Sequence, residues 1–139
     1  MTSDDPTEES PVRIIPWTIP KPMGLWYQAF VVSDSGLFIT PEMDVTTFEE
    51  LKAAVEEGLD AVITNLTGHG RNKRPQIFAL ATITGVSANE SAGTIHVRVA
   101  DEDIENPMVR VPKREQLPKI ARALTELIKR SRENTNPTN

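Results

Sequence analysis

Apolar residues alternate with polar ones in some stretches of this chain and recur every three or four positions in others, and the two rhythms mark different elements. Thr94 to Val99 alternates cleanly, so Ile95, Val97 and Val99 are expected to face a core and Thr94, His96 and Arg98 to face water. Met108 to Val111 repeats the pattern, with Val109 and Val111 inward and Arg110 outward. Trp26 to Ser33 is rich in aromatic and β-branched residues and reads as a strand. Ser33-Asp34-Ser35-Gly36 reads as a turn, Leu37 to Thr40 as the returning strand, and Pro41 as its end. Ala61 to Leu66 reads as a short apolar strand. Ile77 to Val86 is apolar on both alternating faces, which predicts the central strand of a sheet, with Gly85 as the place for a bulge.

Helical spacing occurs twice. Phe48, Leu51, Val55 and Ala54 form one stripe behind Thr46-Thr47-Phe48-Glu49, which matches a capping box, and Gly58 suits the left-handed residue after the last turn. Leu117, Ile120, Ala121, Leu124, Leu127 and Ile128 form a second, unbroken stripe. That helix is expected to start near Glu115, because Pro118 is tolerated in a first turn, where amides have no helical acceptor. Lys129, Arg130 and Arg132 occupy its last turns, the favourable end for cations.

Proline shapes the start of the chain. Residues 12–22 intersperse Pro16, Pro20 and Pro22 with apolar side chains, so the stretch is expected to run extended, as an edge strand or a polyproline-like arm across the body. Residues 1–11 read as a disordered acidic tail and residues 134–139 as a second tail, which leaves 12–133 as one domain. Short links between strands favour antiparallel pairing. The expected fold is α+β: a mainly antiparallel sheet of about five to six strands with two amphipathic helices packed on one face.

Composition narrows the function classes. The 139 residues include no cysteine, which excludes disulfides, thiol catalysis and cysteine-based zinc sites. No apolar run reaches the ~18 residues of a membrane span, and the start lacks a basic, apolar leader, so a cytoplasmic protein with no membrane contact is expected. The net charge of −5 divides unevenly. Asp4, Asp5, Glu8 and Glu9 belong to the tail; Glu42, Asp44, Glu49, Glu50, Glu56, Glu57 and Asp60 stand against Lys52 alone, whereas the last helix and its approach are rich in lysine and arginine. Two readings fit this: solvated helix faces, or a charge-steered contact with another subunit or an acidic partner.

The most suggestive local feature is the loop 67–75, in which two glycines accompany His69, Arg71, Lys73 and Arg74, groups that bind phosphates and carboxylates. It lacks the Gly-Lys-Ser/Thr of a phosphate loop and leads into Pro75 and a strand, so no helix dipole assists it. A solvated loop and an anion, nucleic-acid or acidic-partner site are both open readings. His96, Arg98 and Arg110 are expected to share an open sheet face, yet no outward position on their strands is aromatic, as single-strand nucleic-acid binding would want. Trp17 reads either as an anchor for contacts between chains or as the lid of its own core. Asp101, Asp103 and Glu105 alternate like the start of a calcium loop, but Asn106 and Pro112 stand where glycine and glutamate are needed, so no metal is expected.

No catalytic grouping, cofactor fingerprint or family resemblance emerges. The leading expectation is a non-enzymatic binding or assembly module acting through protein contacts, self-association included, with Trp17, Arg98 and Arg110 as contact residues. The alternative is nucleic-acid or phosphorylated-ligand binding through the basic loop. Enzyme activity would require a pocket that joins His69 or His96 to a carboxylate from a distant segment.

Overall fold

The computed structural model describes residues 12–67 and 75–135. In chain order they form β1 (Arg13–Lys21), β2 (Gly24–Ser33), β3 (Gly36–Ile39), α1 (Val45–Glu57), α2 (Leu59–Thr67), β4 (Gln76–Phe78), β5 (Ile83–Asn89), β6 (Thr94–Val99), β7 (Met108–Arg110) and α3 (Leu117–Thr135). The fold is α+β with antiparallel pairing throughout, as expected. The strands divide into two sheets, however, ordered β1-β2-β3-β4 and β5-β6-β7. A single sheet of five or six strands is therefore corrected to seven strands among the described residues, in sheets of four and three.

Strand alternation explains where the helices go. On β1, β2 and β3, Ile15, Trp17, Phe30, Val32, Leu37 and Ile39 join one core, which also takes Ile83, Ile95, Val97, Val109 and the α3 stripe Leu117, Ile120, Leu124 and Ile128. The intervening residues Val12, Val31 and Phe38 join a second core with Phe48, Leu51, Ala54, Val62 and Leu66 of α1 and α2. Successive side chains on a strand point to opposite faces. The first sheet is thus sandwiched, α1 and α2 on one face and α3 with the second sheet on the other. Two helices on one face is corrected accordingly. The sequence hides this because Phe30-Val31-Val32 and Leu37-Phe38-Ile39 are apolar at every position, the mark of strands buried on both sides.

Two local readings change. Ala61 to Leu66 is helical, part of α2: Val62 and Leu66, four apart, are the buried pair, and Ile63 is partly exposed. Six apolar-rich residues carry too little periodicity to separate strand from helix. The run from Ile77 to Val86 is not a central strand. Thr82 donates its backbone N–H and its hydroxyl to the carbonyl of Ala79, closing a short 3-10 turn at Leu80–Thr82. The chain there leaves the first sheet, with Ile77 55% exposed on edge strand β4, and enters the second as edge strand β5. Gly85 does mark a bulge, in the pairing of β5 with β6.

Helix ends follow their chemistry. Asp44, not Thr46, caps α1: its carboxylate accepts the Thr47 amide at 2.9 Å. Gly58 closes α1 at φ 122, its amide donating to the Ala54 carbonyl, and α2 follows at once. A 3-10 turn at Arg114–Gln116 leads into α3, with Pro118 in its first turn as expected.

Candidate functional site

The second sheet shows one face to the core and the other outward, and its register places the sequence-selected side chains. Arg110 stands opposite Thr94, and Met108 opposite His96. On the other side of β6, Asn89 pairs with Thr94, Ser87 with His96 and Gly85 with Arg98. His96, Arg98 and Arg110 therefore share one face, as alternation predicts. They do not converge. Arg98 lies over Gly85, its Nε 3.8 Å from where a Cβ would stand, on the β5 side. His96 and Arg110 line a common groove of about 680 Å³ together with Gln28, Glu42, Asn89, Ala92, Thr94, Met108 and Val109.

Trp17 holds the groove's rim in place. Its indole N–H donates to the Arg110 carbonyl at 3.1 Å, tying β1 of the first sheet to β7 of the second. The Trp17 ring is 1% exposed, with its centroid 5.0 Å from that of Phe30. Trp17 thus sits inside the chain's own core and offers no surface anchor, which corrects its reading as a contact residue. Its β2 partner in register is Gln28, whose side-chain amide donates to the Thr40 carbonyl at 2.8 Å, fixing the groove's first-sheet wall. On the same wall, Glu42 forms an ion pair with Lys21, whose ammonium also lies 5.4 Å from the centre of the Trp26 ring.

The groove's chemistry is mixed. Thr94 Oγ1 and His96 Nε2 are 3.0 Å apart, within hydrogen-bond reach. A hydroxyl next to an imidazole is part of a nucleophile–base arrangement, which also wants a third group orienting the base. Among the described residues, no hydrogen bond joins His96 to a carboxylate, although Glu42 lines the same groove. Met108, 56% exposed, adds a flexible apolar side chain.

The remaining candidates fall elsewhere. His69, Arg71, Lys73 and Arg74 lie outside the described residues. Asp101 to Glu105 is an exposed turn in which the Asp101 carboxylate accepts the Asp103 amide at 2.9 Å, and no cluster of metal-ligating side chains occurs among the described residues. Among the described residues, no helix is long and apolar enough to cross a membrane. Sequence reasoning missed Gln28, Glu42, Asn89 and Met108, because the register that gathers them depends on strands far apart in the chain. No protein-family model, curated protein or solved structure matches this chain.

Proposed function

We propose that this protein is a non-catalytic binding module that acts through protein contacts, with the groove beside β7 as its contact surface. The observation that carries this reading is the pairing of Met108 and Arg110 on a strand pinned from behind by Trp17. Contact residues of high value combine an apolar or guanidinium side chain with a rigid support, since little freedom is then lost on binding. The ~680 Å³ concavity suits a protruding side chain or loop of a partner better than a flat protein face.

A photo-crosslinking residue at position 108 in cells tests this reading. Adducts with one discrete protein, reduced by Arg110→Glu, support it; adducts with a second copy of the chain identify self-association as the form the contact takes. Adducts that form equally from position 53, on the outer face of α1, and ignore Arg110→Glu would overturn it.

A second reading has one observation in its favour: the groove brings His96 together with Glu42, a carboxylate from a distant segment, beside the Thr94 hydroxyl. Turnover of activated esters or phosphate esters that disappears in His96→Ala and Glu42→Gln would favour catalysis. Turnover indifferent to both would dismiss it.

A further inference from the structure

The second-sheet wall of the groove beside β7 carries a charge and donors that its own chain leaves unused. Asn89, Thr94 and Arg110 form one row across β5, β6 and β7. Neighbouring strands lie about 4.8 Å apart, so a group seated over Thr94 is within reach of both end members. Thr94 and His96 satisfy each other. Asn89 accepts the Ala92 amide on its side-chain oxygen at 3.1 Å. A backbone N–H can only donate, so the atom facing it is oxygen, and the NH2 end of Asn89 is left over. The Arg110 backbone carbonyl takes the Trp17 indole, but its guanidinium makes no hydrogen bond or ion pair among the described residues.

The facing wall is already committed. The Gln28 side-chain amide donates to the Thr40 carbonyl, and the Glu42 carboxylate is paired with Lys21. With Lys21 offsetting Glu42, Arg110 is the one permanently charged group on the lining without a counterpart among the described residues. Beside it stands the exposed thioether of Met108.

From this we infer that the group a partner seats in the groove is a carboxylate: an aspartate or glutamate side chain on a protruding loop, with an apolar neighbour against Met108. The inference rests on the contact reading above and names what that contact recognises. The guanidinium presents a fork of parallel N–H donors that fits the two oxygens of a carboxylate, and the Asn89 amide adds a further donor. A phosphate would bring a second negative charge, for which the lining has no partner and against which Glu42 stands on the facing wall. A basic or wholly apolar loop would cover the Arg110 charge without matching it, which costs desolvation with no return.

The test is a nuclear magnetic resonance titration of the full isotope-labelled chain with short peptides blocked at both ends: leucine-glutamate-leucine, its glutamine counterpart and its phosphoserine counterpart. The glutamate peptide should shift the Arg110 Nε–H and Asn89 NH2 signals and leave the Arg98 Nε–H, over on the β5 side, unmoved. It should bind at least about tenfold tighter than the other two. Arg110→Lys keeps the charge without the fork and Arg110→Gln removes both, so affinity should fall in two steps. Both variants retain the backbone carbonyl that Trp17 uses. Glu42→Gln, which frees the Lys21 charge, should tighten binding. Equal affinity of the glutamate and glutamine peptides, tighter binding of the phosphoserine peptide, or unmoved Arg110 and Asn89 signals at millimolar glutamate peptide would overturn the inference. So would tighter binding of a leucine dipeptide whose only carboxylate is its C-terminus, because the groove would then read a chain end. A discrete adduct from position 108 alongside any of these results leaves the contact surface standing and strikes only the carboxylate.

Discussion

Trp17 and Arg110 stand 93 positions apart in sequence, yet the indole N–H of one donates to the backbone carbonyl of the other at 3.1 Å. This bond crosses from the first sheet to the second and orients the strand that carries Met108 and Arg110. Replacing Trp17 with phenylalanine keeps much of the buried ring but leaves that carbonyl without its donor. The expected loss is about 1–3 kcal/mol of stability, and Trp17→Ala should lose about 3–5 kcal/mol. Urea denaturation measures both, and a Trp17→Phe variant as stable as the parent would show the bond to be unimportant.

The start of α1 distinguishes two caps. Asp44→Ala should cost about 1 kcal/mol, because the Thr47 amide loses its acceptor. Thr46→Ala should cost far less, since Thr46 is not the capping residue. Equal losses in paired denaturation curves would reinstate the capping box that the sequence suggests.

Two glycines with similar backbone should respond very differently to alanine. Gly24 and Gly36 have φ of 141 and 147, but a Cβ at Gly24 meets nothing within 4 Å, whereas one at Gly36 would stand 2.6 Å from the Phe78 carbonyl oxygen. Gly24→Ala should cost about 1–3 kcal/mol from backbone strain. Gly36→Ala carries the same strain and must also push β4 away from β3, so its melting temperature should drop further.

Removing residues 1–22 should abolish cooperative folding rather than release an arm. Arg13–Lys21 is strand β1, which supplies Ile15 and Trp17 to one core and borders Val12 of the other. Loss of the near-ultraviolet circular dichroism signal and of a thermal transition is the expected result.

Replacing Arg71, Lys73 and Arg74 together by alanine separates the two binding readings. Crosslinking from position 108 should persist in that variant. Affinity for single-stranded nucleic acid that falls steeply with salt and vanishes in the triple variant would shift the function to the basic loop.

Much of the fold is legible in the sequence wherever one face of an element is wet. Thr94 to Val99 alternates because β6 has a core side and an outer side, and the α3 stripe repeats because only one side of that helix is buried. Legibility fails where both faces are dry or the run is short. Val31 and Phe38 give no hint that their neighbours serve a different core, and the apolar run from Ile77 conceals a change of sheet at Leu80–Thr82. The candidate site divides the same way. Alternation places His96 and Arg110 on one face. Only the three-dimensional register brings Gln28 and Glu42 beside them and turns Arg98 aside.

The two prolines of β1 also bear on how far any association by strands could extend. A fibre grows only if each unit has two joinable flanks, one to receive and one to offer. Here the nine-residue flank at β1 is sealed at Pro16 and Pro20. Proline has no N–H to give at either place, so a strand approaching along β1 meets gaps in the ladder, and stacking of copies through this flank is disfavoured.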